Sequence, residues 1–321
     1  MGHRHHSTTR PPYNKTIAAA MVETSGKSNP ESTPMPIDPL VTTQWLQDHL
    51  TDPGIRVLDC RGYVATRPVA PGVEEADYLG AEAEYLADHI PGALYLNWTS
   101  DIIDLDDPVP VQIAPPDRFA EAMAARGVGD TTHVVAVDHM GGQFATRLWW
   151  ALRYYGHDAV SVLDGGWNRW VDEERPTESG PVAVPRAVFT PRPRTMLRKT
   201  AEEVRETIGK GEVQLLDARD AGQFSGARRR GPRGGHIPGA IHVPRDGFVS
   251  ESGGFLPEAE VRRRFDQLGI DLAKPVVGYC NGGVAVTVLL FNLHRIGVLD
   301  GANYDGSWNE WGERDDLPIA T

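Results

Sequence analysis

The chain has 321 residues, room for two domains, and its 40% hydrophobic and 24% charged residues are ordinary for a globular protein. A formal charge of −12 argues against general binding to nucleic acid or anionic membranes, and no apolar run approaches the ~18 residues that span a bilayer. Two cysteines, Cys60 and Cys280, without CxxC or Cys/His spacing, exclude a disulfide scaffold and a zinc site, and fit a reducing compartment such as the cytosol.

Residues 1–37 are rich in Ser, Thr, Pro and His without apolar periodicity and are expected to be a disordered tail. His3, His5 and His6 read either as a metal-binding cluster or as solvated tail residues. Residues 1–22 carry bases and no acid, as mitochondrial transit peptides do, but Pro11 and Pro12 interrupt any amphipathic helix.

From residue 38 onward, strand and helix alternate. Thr42 opens a helical stretch followed by Val57-Leu58-Asp59-Cys60-Arg61. Pro116–Ala125 is predicted helical, Val134–Val137 a buried strand, and Thr146–Tyr155 a helix ended by Gly156. Residues 173–199, charged and then proline-rich, read as an extended linker between a first half (38–172) and a second (200–321). Thr200-Ala-Glu-Glu203 is a capping box opening a helix over 201–209. Val213–Leu216 and Val276–Tyr279 are short apolar runs, predicted as buried strands; Pro257–Gln267 is an amphipathic helix, and Val284–Ile296 a helix with Gly297 past its end. This alternation predicts an α/β fold, two domains each with a mostly parallel sheet and helices on both faces.

The halves repeat one another. Leu58-Asp59-Cys60-Arg61 returns as Leu216-Asp217-Ala218-Arg219, and His89-Ile90-Pro91-Gly92-Ala93 as His236-Ile237-Pro238-Gly239-Ala240. Val-Val strands precede both Asp138 and Cys280, and Asp164-Gly165-Gly166-Trp167-Asn168-Arg169-Trp170 returns as Asp305-Gly306-Ser307-Trp308-Asn309-Glu310-Trp311. The offset falls from 158 through 147 and 142 to 141, so small insertions separate two copies of one unit.

Cys280 ends a strand and precedes a helix, the place where parallel sheets bind ligands. Asn281, Gly282 and Gly283 allow successive amides to turn inward as an anion nest, and the helix adds its positive end. Both favour a thiolate nucleophile; the competing reading is a buried structural thiol. Cys60 stands where the other half has Ala218 and reads as packing. The first half puts Asp138 at the position of Cys280, which makes it an inactive copy that shapes the cleft and closes it over the active one.

Two such halves, with His-Ile-Pro-Gly-Ala, a cysteine loop at a strand tip and Asp-Gly-Ser-Trp-Asn-Glu-Trp, resemble the tandem rhodanese family of sulfurtransferases over residues 38–318. The resemblance implies two rhodanese domains with only the second active. It implies sulfur transfer from thiosulfate or 3-mercaptopyruvate to cyanide or a thiol through a Cys280 persulfide, without metal or organic cofactor. Cys280, Asn281, Gly282, Gly283, Val284 and Ala285 would form the sulfur-binding loop. The expected partners are a small anionic donor and a thiol or cyanide acceptor, neither nucleic acid nor membrane, acting on a monomer.

The loop departs from both family patterns. Thiosulfate-preferring members carry Arg and Lys where this chain has Asn281 and Gly282; mercaptopyruvate-preferring members end the loop in Thr or Ser, and here it ends in Ala285. Gln223 also stands where a substrate-binding Arg is usual. Arg228, Arg229, Arg230 and Arg233 are candidates to restore the charge, or else a solvated run; Asp217 and Arg219 are either site residues or a structural ion pair. His236 reads as a turn hydrogen-bonder, and Trp308 and Trp311 as core. A phosphatase of the same fold would need an Arg closing the loop, where position 286 is Val; a non-catalytic binding or sulfur-carrier module is the other alternative.

Overall fold

The computed structural model describes residues 37–321; the expected tail, with its histidine cluster, lies outside them except for Ile37. In the first half, β1 (Leu40–Val41), α1 (Thr43–His49) and β2 (Ile55–Asp59) lead into a hairpin of β3 (Gly62–Ala70) and β4 (Val73–Gly80). There follow α2 (Glu82–Ala87), β5 (Leu94–Tyr95), α3 (Pro116–Ala125), β6 (His133–Val137), α4 (Gln143–Tyr154), β7 (Val160–Leu163) and α5 (Gly166–Asp172). The second half holds β8 (Arg198–Lys199), α6 (Ala201–Thr207), β9 (Gln214–Asp217), α7 (Ala221–Phe224) and β10 (Ile241–His242). It ends with α8 (Glu258–Gln267), β11 (Val276–Tyr279), α9 (Thr287–Arg295), β12 (Gly301–Tyr304) and α10 (Ser307–Trp311).

Two parallel sheets result, ordered β1-β7-β6-β2-β5 and β8-β12-β11-β9-β10. The order is the same in both, β8, β12, β11, β9 and β10 being the counterparts of β1, β7, β6, β2 and β5. Arg198–Lys199, placed in the linker on sequence grounds, pair with β12 and open the second sheet. The Thr200 capping box forms, with the hydroxyl accepting from the Glu203 amide and the Glu203 carboxylate from the Thr200 amide.

The halves pack through equivalent segments. Helices α4 and α9 meet, with Thr146 Oγ1 and Thr287 Oγ1 2.8 Å apart, and Trp149 meets Phe291 edge-on. Each half also reaches over the other: the Ile113 amide donates to Asp305 (2.8 Å), and the Phe255 amide donates to Asp164 (2.8 Å). One apolar core runs through both, from Leu58, Trp98 and Phe144 to Phe248, Leu289 and Phe291. Burying a continuous core across the junction makes the pair mechanically one body, unlike the polar contact of domains that slide.

One helix begins later than its apolar pattern suggests. Val284–Val286 stay in the loop and α9 starts at Thr287. Valines 284 and 286 are buried in the shared core, Val286 over Gly278 of β11, so they are apolar for tertiary reasons. The reverse holds for α4, which begins at Gln143, directly after Gly142 with φ +82°.

Candidate active site

β11 delivers Cys280 to the carboxyl edge of the second sheet, and the chain then turns through Asn281–Val286 before α9. Gly283 has φ +68°, and a Cβ there would meet the Asp305 side chain at 2.7 Å, so glycine is required on both counts. A Cβ on Gly282 would strike Val111 Cγ2 of the first half at 2.3 Å. Val111 itself holds φ +61°, a strained conformation for a β-branched residue, where the first half closes over the loop.

The first half shows what this turn does. There the Asp138 carboxylate lies in the loop and accepts amides from Met140 (3.1 Å), Gly142 (3.0 Å), Phe144 (2.7 Å) and Ala145 (3.1 Å). Four main-chain donors on one carboxylate make the turn an anion cradle. In the second half no side chain fills it. Among the described residues, the amides of Gly282, Val284, Ala285 and Val286 find no acceptor in the chain. Cys280, only 3% exposed, stands at the position of the carboxylate.

Other groups fix the loop from behind. Ser307 Oγ accepts the amides of Cys280 (3.1 Å) and Gly283 (3.0 Å) and donates to the Tyr304 carbonyl (2.7 Å). Ser307 sits at φ +52°, where the first half uses Gly166 at φ +57°. A side chain in that region costs on the order of 1 kcal/mol, and here its hydroxyl anchors two loop amides. The Gly283 carbonyl accepts from Arg147 of the first half (3.0 Å) and from Asn303 (2.8 Å). The Trp308 amide holds the Cys280 carbonyl (3.1 Å).

A cavity of about 250 Å³ opens on Cys280. Both halves line it: Val64, Tyr78, Val111, Met140 and Gln143 from the first, and Arg219, Gln223, Arg230, Arg245 and the loop from the second. Asn281, Gly282, Val284 and Ala285 all reach it, whereas Gly283 is turned back toward Asp305.

The arginine candidates separate. Arg230 faces the cavity while bonded to Glu74 (3.1 Å). Arg228 pairs at the surface with Asp220 and Glu74, and Arg229 is half-buried and bonded to the Pro232 carbonyl. Arg233 turns away, donating to the carbonyls of Trp311, Gly312, Arg314 and Leu317, and so braces the end of α10. Arg219 borders the cavity but is committed to Asp217 (2.6 Å), the Gly235 carbonyl (2.7 Å) and the face of Trp308 (4.2 Å). Asp59, Arg61 and Trp167 repeat this arrangement beside Asp138, which marks it as scaffold of the fold in both copies. His236 bonds the Phe224 carbonyl (2.9 Å), and Trp308 and Trp311 are core. Cys60 is fully buried, and that burial, with Asp59 and Asp138 nearby, pushes its thiol well up and away from reactivity.

Arg245 escaped the sequence reading. It follows β10, holds Gln143 Oε1 (2.6 Å) across the junction, and lines the cavity wall. Its place beyond the carboxyl end of a parallel strand was the available signal. Val64, Tyr78 and Gln143 gave none, since they come from the other half.

Parallel sheets with a cysteine in a glycine-rich turn at the carboxyl tip of a strand define an α/β protein of the class that binds ligands at that edge. The chain belongs to the rhodanese family: the rhodanese-like domain model matches residues 42–173 and again 200–314. The thiosulfate sulfurtransferase of Gallus gallus is 35% identical over 86% of this chain and 93% of its own length. The 3-mercaptopyruvate sulfurtransferase of Escherichia coli K12 is 34% identical over 87% and 96%. Among solved structures, SseA, a 3-mercaptopyruvate sulfotransferase from Escherichia coli, matches with TM-score 0.73 and 31% identity over 84% of this chain and 98% of that one. Among the described residues no helix is long and apolar enough to cross a membrane.

Proposed function

We propose that this protein is a sulfurtransferase that carries sulfane sulfur from thiosulfate or 3-mercaptopyruvate to cyanide or a thiol as a persulfide on Cys280. The observation that carries the reading is the turn after Cys280: among the described residues the amides of Gly282, Val284 and Val286 find no acceptor, and their counterparts in the other copy, Met140, Gly142 and Phe144, bind the Asp138 carboxylate.

The Cys280 thiolate attacks the donor's outer sulfur and a sulfur–sulfur bond forms. With thiosulfate, the bond to the sulfonate sulfur breaks and its electron pair leaves on sulfite. With mercaptopyruvate, the carbon–sulfur bond breaks and its pair leaves as the pyruvate enolate, which takes up a proton. The acceptor then attacks the outer persulfide sulfur and returns Cys280 as thiolate. Throughout, the charge stays inside the ring of amides, fixed in place before the reaction begins. Arg245 and Arg230 supply the positive wall toward the donor's anionic end. The first half, with Asp138 in its own cradle, serves as scaffold and lid. We place the reaction in a reducing compartment, with the protein acting as a monomer away from membranes and nucleic acid.

Initial rates over a grid of donor and acceptor concentrations test this. Parallel double-reciprocal lines are expected, with mercaptopyruvate at least as good a donor as thiosulfate because Asn281 and Gly282 are neutral. No turnover with either donor would overturn the function; a large thiosulfate preference would overturn the reading of the loop.

Ser307 offers a second test. Ser307→Gly relieves the left-handed strain but releases the Cys280 and Gly283 amides. Stability is expected to stay within about 1 kcal/mol of the parent, because the two terms oppose. Turnover is expected to fall about tenfold or more, since the loop loses its anchor. Unchanged turnover would remove Ser307 from the site.

A further inference from the structure

The copies diverge most between Arg61 and His89, where the offset between them falls from 158 to 147. The extra residues of the first half are the β3–β4 hairpin, and it crosses to the other half. The Glu74 amide donates to the Arg229 carbonyl (3.0 Å) and the Arg229 amide to the Gly72 carbonyl (2.9 Å), locking the hairpin onto the segment after α7. Val64 and Tyr78, from its two strands, form part of the cavity wall.

The Glu74 side chain, 12% exposed, is the hairpin's polar contribution. Its Oε1 accepts from Gln223 Nε2 (2.8 Å) and Arg230 Nε (3.1 Å), and Oε2 faces Arg228 Nη1 (3.5 Å). A carboxylate only accepts, so Gln223 must present its amide nitrogen to Glu74 and its carbonyl to Asn281. Gln223 Oε1 accordingly accepts from Asn281 Nδ2 (2.9 Å). A carboxylate from the half that lacks Cys280 thus neutralises a cavity arginine and, through one amide side chain, ties up a donor of the residue next to Cys280.

We infer that Glu74 determines which sulfur donor the site prefers, acting through Arg230 and the Gln223–Asn281 pair. It lowers the positive charge of the cavity, and so disfavours a doubly charged donor, thiosulfate, relative to a singly charged one, mercaptopyruvate. One unit of charge at the wall of a partly closed cavity changes the relative affinity of a dianion over a monoanion by about tenfold. The inference rests on the sulfur-transfer reading and deepens it.

The test is Glu74→Gln, with kcat/KM for the two donors measured side by side from low to high ionic strength. The thiosulfate-to-mercaptopyruvate ratio is expected to rise about tenfold at low salt, and the gain to shrink as salt screens it. Adding Arg230→Gln should return the ratio toward the parent value. Equal losses with both donors, or an unchanged ratio, would reduce the hairpin to a structural brace and overturn the inference. Parent protein inactive with both donors would instead defeat the sulfur-transfer reading itself, so the two failures are distinct.

Discussion

Cys280→Ser is expected to lose sulfur transfer by at least a thousandfold while Cys60→Ala keeps it within about threefold. The serine hydroxyl fills the same cradle, but its oxygen neither ionises at neutral pH nor forms a stable chain with sulfane sulfur. The loop need not move, so denaturation midpoints of Cys280→Ser and parent should agree. Cys60 directly follows the carboxyl end of β2, fully buried and hydrogen-bonded through its amide to the Val137 carbonyl (2.7 Å). Alanine already occupies its counterpart, Ala218, and truncation there costs on the order of 1 kcal/mol of stability and little rate. Steady-state rates and urea midpoints of both variants decide it; comparable activity losses in the two would contradict the assignment of Cys280.

Arg147→Met is expected to destabilise the protein by about 3–5 kcal/mol, more than any other single change considered. Arg147 and Asp305 are both fully buried and pair at 2.5 Å between the halves. The guanidinium also donates to the Gly283 carbonyl and to the Val111 carbonyl (3.0 Å each) and lies over Trp150 at 4.6 Å. Methionine fills the volume but leaves Asp305 with the Ile113 amide and a longer contact to Arg198 (3.4 Å). The penalty is that of an uncompensated buried charge, so Asp305→Asn in the same background should recover part of it. Gly283 also loses one of its two carbonyl donors, and turnover should fall with stability. Chemical denaturation followed by tryptophan fluorescence measures the first effect; a loss under about 1 kcal/mol would show that the pair does not hold the halves together.

Much of this site was legible because its signals are local. A buried Val-Val strand, a cysteine and an Asn-Gly-Gly turn occupy one short stretch, and their chemistry follows from chain direction and glycine alone. The repeat showed that the same turn lacks its thiol in the other half. What the sequence did not expose depends on contacts between distant segments. The offset change marked an insertion before His89, but nothing in Val73–Gly80 said that it would cross the junction and put Glu74 against Gln223 and Arg230. The arginine run looked uniform; only packing separates Arg230 at the cavity from Arg233 beneath α10. Val284 and Val286 fit a helical apolar pattern because they are buried, although the loop is irregular. Apolar periodicity reports burial, and burial does not require helix.

The residue that carries the transferred sulfur can be located directly. Protein exposed to a small excess of thiosulfate or 3-mercaptopyruvate, desalted, digested without reductant and mapped by mass should show one added sulfur on the peptide containing Cys280 and none on that containing Cys60. Cyanide should remove it with release of thiocyanate. A sulfur-free Cys280 peptide after exposure to both donors, with turnover intact, would contradict the account.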